Sequence, residues 1–513
     1  MTFVLTVFSI LVAMGVGGFA SWCMLCGRWP KHPIVENGLC VALAFPLGAG
    51  VISLLHFFLL PLGMHTPWLA LVLAVALSAI AWPFRGCWRG DDPDAPPVAS
   101  SGMPHFPWQL ALGMFSGVVF IALFLSALSI QREAPHGAWD SWAIWTLRAK
   151  FLAAGEPFWR NALDPGFGLS HPEYPLSTSS FIAWGWKLAG DTTPLLPRMV
   201  ASLYLLSLGG IVLCALTLLR GFTQASLGML ALLSPAALIT VSAALYADVP
   251  LATTLAASSA LLLLSYSTFR GEAYALLAGV LAGLCAWTKI EGLIHLIAIA
   301  FAVVVVSFLS PRVGRYARTR LIAFAGGALP LAAFIALFRM VLTPVGVQGL
   351  ANGSDGLRWL QLADLGRFLE VIRTGTKMLY EMGPWWAHPL LFLLLPLLFL
   401  GLRSKALWSA GLYVIGLAWL LICGGYFAVY QLGAAEAGPM MINSLDRLLL
   451  HPWPMLVLLV FVSIHSPEDL AIAVDRHEAK QKGRRTKAGL AGNATKDSGP
   501  REPGPGRGKG RLA

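Results

Sequence analysis

The chain has 513 residues, 57% of them hydrophobic and only 12% charged, with a mean hydropathy of +0.71. Soluble domains carry roughly 25% charged residues, so this composition excludes a cytosolic enzyme, a disordered chain and a disulfide-framed secreted domain. The formal charge of +11 reports mainly the C-terminal end, where eleven Lys/Arg face three Asp/Glu between Arg476 and Arg511.

Long unbroken apolar runs, rather than the alternating segments of a membrane barrel, define an all-α, polytopic helical membrane protein. The basic end reads as a polybasic tail on anionic membrane lipids, and no nucleic acid partner is expected. Thirteen runs suit transmembrane helices of ~20 residues each. The first three, near 2–22, 38–62 and 66–84, make up an N-terminal region, 1–107. The first run lacks a basic leader and a small-residue cleavage site, and so reads as a span rather than a signal peptide. Cys23 and Cys26 close it as a C-x-x-C, with no second Cys or His pair to complete a zinc site.

The next ten runs lie near 108–130, 196–219, 223–245, 249–268, 273–289, 292–310, 321–343, 388–402, 406–430 and 448–465. They form a core of residues 108–465, with long loops at 131–195 and 344–387. Residues 466–513 read as a basic, disordered tail. Residues 176–190 are apolar but only 15 long, which places them in the interface or in a dip that returns. The 344–387 loop, with Arg358, Arg367, Arg373, Lys377 and Trp385-Trp386, reads as partly helical and interfacial. It also contains the sequon Asn352-Gly353-Ser354.

Short-loop charge sets the orientation. Arg28, Lys31, Arg85, Arg89, Arg220, Arg270, the cluster Arg312/Arg315/Arg318/Arg320, Arg403 and Lys405 fall on one side with the tail. That side is the cytoplasm, and the membrane is the cytoplasmic (inner) membrane. The ionisable residues elsewhere then collect on the other, outer face, where polar groups are functional candidates by default.

Asp140 precedes the segment SWAIWTLRAKFL, in which Trp142, Trp145, Ala149 and Leu152 share a face with Arg148 and Lys150 off it. That spacing suits a helix lying on the membrane surface, with Asp140 either its N-cap or a reactive carboxylate. His171, Glu173 and Tyr174 lie in HPEYPL, whose prolines stop helix formation. They sit on a rigid turn at a cavity or on a solvated surface turn. Tyr246 and Asp248 lie in LYADVP, where Asp248 is again an N-cap or a site residue. Lys289 and Glu291, in TKIEG, are two apart and cannot share a helix face. A break between two spans suits them, with a local ion pair as the plain alternative. Arg447, in SLDRLLLHPWP, opens the last span, where it binds a ligand or snorkels to headgroups.

The order of these motifs resembles the type C (GT-C) polytopic glycosyltransferases, above all their bacterial members related to protein mannosyltransferases and lipid A aminoarabinose transferases. The match covers about residues 108–465: Asp140 after the first core span, the proline turn 171–176, Tyr246-x-Asp248, Thr288-Lys289-x-Glu291-Gly292 and the late Arg447. The family often carries an adjacent acidic pair where this chain has Asp140-Ser141, and Glu173 is then the second carboxylate.

The resemblance implies a GT-C-like core and transfer of a sugar from a polyprenyl-phosphate donor to an envelope acceptor (glycan, lipid or protein) at the outer face. Asp140 is the implied general base and Glu173 its helper or a sugar ligand. Lys289 and Arg447 would hold the donor phosphate. His171, Tyr174, Tyr246, Asp248 and Glu291 would bind or position substrate. No cofactor is assigned, although Asp140 and Glu173 leave room for a divalent metal, which two carboxylates are too few to establish. A transporter or lipid-linked sugar flippase is the alternative from another class.

Overall fold

A computed structural model describes residues 1–26, 32–83, 107–268, 271–309, 314–343, 363–381, 388–404, 409–433, 437–472 and 474. In chain order the helices are α1 (Thr2–Leu25), α2 (Pro33–Leu59), α3 (Pro67–Ala79), α4 (Pro107–Glu133), α5 (Thr146–Ala154), α6 (Ser177–Ala189), α7 (Leu195–Arg220), α8 (Phe222–Leu233) and α9 (Ala236–Ala243). They continue with α10 (Asp248–Ser267), α11 (Glu272–Thr288), α12 (Glu291–Leu309), α13 (Gly314–Val341), α14 (Leu365–Tyr380), α15 (Leu391–Leu400), α16 (Ala410–Leu432), α17 (Ala437–Leu450) and α18 (Trp453–Ser463). Among the described residues no strand forms, and the one β pairing is an isolated bridge between Leu402 and Ile464.

This is a polytopic helical membrane architecture. Among the described residues eight helices, α1, α2, α4, α7, α10, α12, α13 and α16, are long and apolar enough to cross a membrane. The pair α17–α18, bent by 44°, makes nine if it counts as one span. Every one of the thirteen expected runs is helical, but α3, α8, α11 and α15 are only 10–17 residues long. At 1.5 Å per residue they reach about 15–26 Å, short of a hydrocarbon core of about 30 Å. Thirteen full-length spans are therefore not reached. Proline accounts for part of the shortfall: Pro235 divides the run 223–245 into α8 and α9, because a mid-helix proline loses a hydrogen bond and clashes with the preceding turn.

The centre of the bundle is α10, buried along nearly its whole length. Lipid gives helices no hydrophobic reason to associate, so close packing and polar contacts must hold them. Ser258 of α10 donates to the Ala278 carbonyl of α11 at 2.9 Å, and Thr253 to the Tyr204 carbonyl of α7 at 3.2 Å. Reciprocal glycines set two other crossings. A Cβ on Gly17 would meet the Ala44 carbonyl at 2.1 Å, and one on Gly48 the Ala13 carbonyl at 1.8 Å. Gly279 and Gly327 join α11 to α13 the same way, each 2.1 Å from a carbonyl of the other helix.

The segment 176–190, expected in the interface or in a dip that returns, is packed inside the protein. It forms α6, 13 residues buried on every face except at Lys187. Its polar groups find partners in the N-terminal helices. Ser180 donates to the Ser53 carbonyl at 2.8 Å and pairs with His56 Nδ1 at 3.1 Å, and Trp184 Nε1 donates to the Pro67 carbonyl at 2.9 Å. Trp287 of α11 also reaches Ser53 Oγ at 3.2 Å. Helices α1, α2 and α3 thus pack around α6.

In the 344–387 loop, residues 365–380 form α14, which exposes Leu365, Phe368, Leu369 and Ile372. Arg367 donates to the Tyr430 carbonyl at the end of α16 at 2.7 and 3.0 Å. Arg358, the sequon and Trp385-Trp386 lie outside the described residues, as do Arg28, Lys31, Arg85, Arg89, Arg270, Arg312, Lys405 and nearly all of the tail. A second unit begins at His465. There Ser466 and Asp469 cap each other reciprocally, at 3.0 and 3.1 Å.

Gly327→Val places a branched side chain where even a Cβ meets backbone. The α11–α13 pair should then separate, at a cost of at least ~1–3 kcal/mol. The check is a drop in the detergent-solubilised melting temperature and in monodisperse yield, beside Gly326→Val, whose nearest neighbour is the tip of Leu276 at 3.8 Å.

Candidate active site

The chain leaving α4 turns back at Gly137 (φ +72°), where a Cβ would lie 2.3 Å from the Ala244 carbonyl. Only glycine fits this approach. The Ala138 N–H donates to that carbonyl at 3.1 Å and ties the turn to the one before α10. Asp140 follows, and its side chain caps nothing. Its carboxylate pairs instead with Arg447 Nη1 on α17.

Residues 141–145 form a π turn rather than the start of an α-helix, with the Thr146 N–H and Oγ1 both bonded to the Ser141 carbonyl. The wider turn changes the expected face. Trp145, Ala149 and Leu152 are buried, but Trp142 is exposed and Arg148 is buried with them. A surface helix with Arg148 outward is therefore not what forms. Arg148 donates to the carbonyls of Ala162 (3.0 Å), Pro172 (3.3 Å) and Tyr174 (2.8 Å). One buried guanidinium thus fixes the HPEYP turn from inside.

On that turn His171 Nδ1 lies 2.9 Å from Glu173 Oε1, and its ring stacks on Tyr174 at 4.5 Å. Tyr174 stacks on Trp145 at 5.9 Å. Burial, and next the Glu291 carboxylate, push the Tyr174 phenol above its ordinary pKa. It therefore remains a neutral donor.

Asp248 is the first residue of α10, again without a capping role. It is buried, and its Oδ1 accepts from Lys289 Nζ at 2.9 Å and His451 Nε2 at 2.8 Å. Lys289 is extended between α11 and α12, as the expected break requires, and reaches Glu291 Oε1 at 3.0 Å. The local ion pair and the long-range one coexist. Burial works against the Lys289 ammonium, but the Asp248 and Glu291 carboxylates outweigh it and hold its pKa well above the ordinary value.

His451 sits at the kink between α17 and α18, before Pro452. Its Nδ1 lies 3.0 Å from Tyr426 OH, which pairs in turn with His295 Nε2, while His295 Nδ1 lies 3.4 Å from Cys285 Sγ. The Asp248 carboxylate can only accept. His451 Nε2 then donates to Asp248, a neutral His451 accepts at Nδ1 from Tyr426 OH, and Tyr426 accepts in turn from His295 Nε2.

The expected residues come together. Arg447 lies one helical turn before His451, and its guanidinium lies over the Tyr246 ring at 5.2 Å. Ala143, Ile144, Trp145, Ala247 and Tyr174 form a small apolar cluster that joins the first loop to the α10 turn. Exposure is graded: Asp140 and Arg447 side chains are 20% and 21% exposed, Glu291 15%, Glu173 9%, Lys289 7% and Asp248 1%. Asp140 and Arg447 can touch a ligand, whereas Asp248 acts through its neighbours. Glu173 Oε2, Asp248 Oδ2 and Glu291 Oε2 are buried without a hydrogen-bond partner. Such orphans are costly and mark where a ligand with several donors would sit.

The Asp140 and Glu173 carboxylates are engaged by Arg447 and His171 respectively, and among the described residues no three His, Cys, Asp or Glu side chains gather as a metal site requires. Two non-glycine residues have positive φ, His171 (51°) and Leu245 (60°), and both adjoin site residues. Strained backbone of this kind collects at functional sites. No protein-family model, curated protein or solved structure matches the chain.

Sequence reasoning did not select Arg148, His295, Tyr426 or His451. His295 and Tyr426, polar groups inside apolar runs, and His451 beside a proline were the available signals. Tyr426→Phe should strand His451 Nδ1 and His295 Nε2 in the core and destabilise by ~1–3 kcal/mol. A thermal melt in nanodiscs checks this, and an unchanged midpoint would mean the chain is not formed.

Proposed function

We propose that this protein is a membrane glycosyltransferase that moves a sugar from a polyprenyl-phosphate donor to a hydroxyl or amine of an envelope acceptor at the outer face of the cytoplasmic membrane. One observation carries the reading. Two cations, Lys289 and Arg447, share a helix-end cluster with three carboxylates that each keep an unsatisfied oxygen. Anion sites beside clustered acceptors suit a phosphate joined to a polyhydroxyl group. The guanidinium groups of Arg220 and Arg320 donate to helix-end carbonyls at the other end of the bundle, in keeping with a cytoplasmic face there.

The chemistry follows from charge. The acceptor atom bonds to the anomeric carbon and passes its proton to Asp140, the general base. The anomeric carbon–phosphate oxygen bond breaks, and its electron pair leaves with the lipid phosphate. Arg447 and Lys289 stabilise that charge as it develops. Attack opposite the leaving group inverts the anomeric centre, through an oxocarbenium-like transition state. Glu173, Glu291, His171 and Tyr174 accept from or donate to sugar hydroxyls. Asp248 and Tyr246 position Lys289 and Arg447.

A transporter or lipid-linked sugar flippase is the second reading. The bent pair α17–α18 and the buried His–Tyr–His chain favour it, since broken helices and internal polar groups are what such proteins use.

Purified protein in nanodiscs, offered radiolabelled polyprenyl-phosphate sugars and crude envelope acceptors, separates the two. Transfer is expected, with a loss of at least ~100-fold in Asp140→Asn at an unchanged melting temperature. Full transfer by that variant removes Asp140 as base. Labelled lipid moved across the bilayer intact, equally by both proteins, installs the transporter. Lys289→Ala is expected to impair donor use more than acceptor use, read from the separate KM values.

A further inference from the structure

The base and the phosphate-binding cation of the proposed reaction are bonded to each other. This inference rests on the glycosyltransferase reading and deepens it. In the pair Asp140–Arg447 the carboxylate accepts a charge-assisted hydrogen bond, which engages the electrons that a base must offer. A guanidinium so paired also has less charge to offer an anion. The pair occupies Oδ2 of the base and Nη1 of the cation, so each is drawn to the other rather than to a ligand.

The surroundings decide which partner is exchangeable. Lys289 is held by two carboxylates and is 7% exposed, so it is the harder of the two cations to draw from its partners. Arg447 has one carboxylate partner, an aromatic face beneath it and three times the exposure. The adjacent Asp446 bonds the Arg447 backbone N–H at 2.7 Å through Oδ1. Asp140 rides on the turn between Gly137 and the π segment, where the Ser141 hydroxyl is buried without a partner. The donor's phosphate is a diester that keeps two free oxygens, and these can take the guanidinium bidentately where Asp140 makes a single Nη1–Oδ2 contact.

We propose that the lipid phosphate competes with Asp140 for Arg447, so that donor binding breaks the pair and releases the carboxylate as the base. The donor must then bind before the acceptor can be deprotonated. In its absence Asp140 stays engaged by Arg447.

The test is equilibrium binding of undecaprenyl phosphate, the leaving group that carries the donor's lipid and phosphate, to the full chain in phosphatidylcholine nanodiscs, with phosphatidic acid and inorganic phosphate as parallel ligands. Asp140→Asn and Asp140→Ala should each bind undecaprenyl phosphate about five- to tenfold tighter than wild type, the range of an ion pair worth about 1 kcal/mol. Arg447→Ala should bind at least about tenfold more weakly. Unchanged or weaker binding by both Asp140 variants, with binding by wild type intact, overturns the competition but not the glycosyltransferase. No binding of undecaprenyl phosphate by wild type overturns the reading beneath it. Equal Asp140 dependence for phosphatidic acid or inorganic phosphate would assign the exchange to any phosphate and overturn its restriction to the polyprenyl donor. Hydrogen exchange on wild type needs no substitution: faster exchange across 137–145 on saturation supports release, and protection there overturns it.

Discussion

A carboxylate that water cannot reach governs this structure. Asp248, 1% exposed at the head of the most buried helix, must find its compensation within the protein. It does so across four chain segments. Lys289 comes from the α11–α12 break and His451 from the α17–α18 kink, and Tyr426 on α16 and His295 on α12 complete the second partner's hydrogen bonds. The charge therefore dictates where helices must end and bend. Buried ion pairs are often replaceable by apolar groups with no loss of stability. Retaining one at the convergence of so many helix ends argues for a use beyond holding them together.

From that buried centre the cluster opens outward. Glu291 and Glu173 are partly shielded, and Asp140 with Arg447 meets the surface. The backbone carrying the outer residues is shaped at some cost. Leu245 and His171 occupy left-handed conformations, unfavourable for side chains with a Cβ. Gly137 supplies another where a side chain could not pass. Arg148, buried under the HPEYP turn, then locks it through three carbonyls. A strained turn held from below is rigid, and rigidity is what a binding lip requires.

Much of this was legible in the residues. Apolar runs located the long helices of the bundle, because in lipid a segment must satisfy its own backbone, but α17 lies almost wholly before the last run. Charged residues at run ends located the cluster, since Asp140, Asp248, Lys289 and Arg447 have no inexpensive place in a membrane except beside one another. Span length was not legible: Pro235 ends α8 early, and the depth of α6 depends on Ser53, His56 and Pro67, more than a hundred residues away. The inward position of Arg148 also escaped. It follows from a π turn, and a one-residue change in phase leaves no trace in apolar periodicity. His451 escaped because its meaning lies in a partner, Asp248, that is remote in sequence.

Charge balance links the resting structure to its chemistry. Around the cluster stand four carboxylates, on Asp140, Glu173, Asp248 and Glu291, against three cations, Arg148, Lys289 and Arg447. A poorly solvated site cannot store unpaired positive charge in readiness for an anion, because the desolvation penalty for it is several kcal/mol per ion. Arg148 rests on backbone carbonyls, whereas Lys289 and Arg447 rest against carboxylates, and an arriving phosphate must compete with a carboxylate for either of these two. The most exposed pair is the one that yields at least cost. In this site that pair contains Asp140, the base of the reaction we propose, so the solvation physics that keeps the empty protein stable would also set the order in which its groups become available.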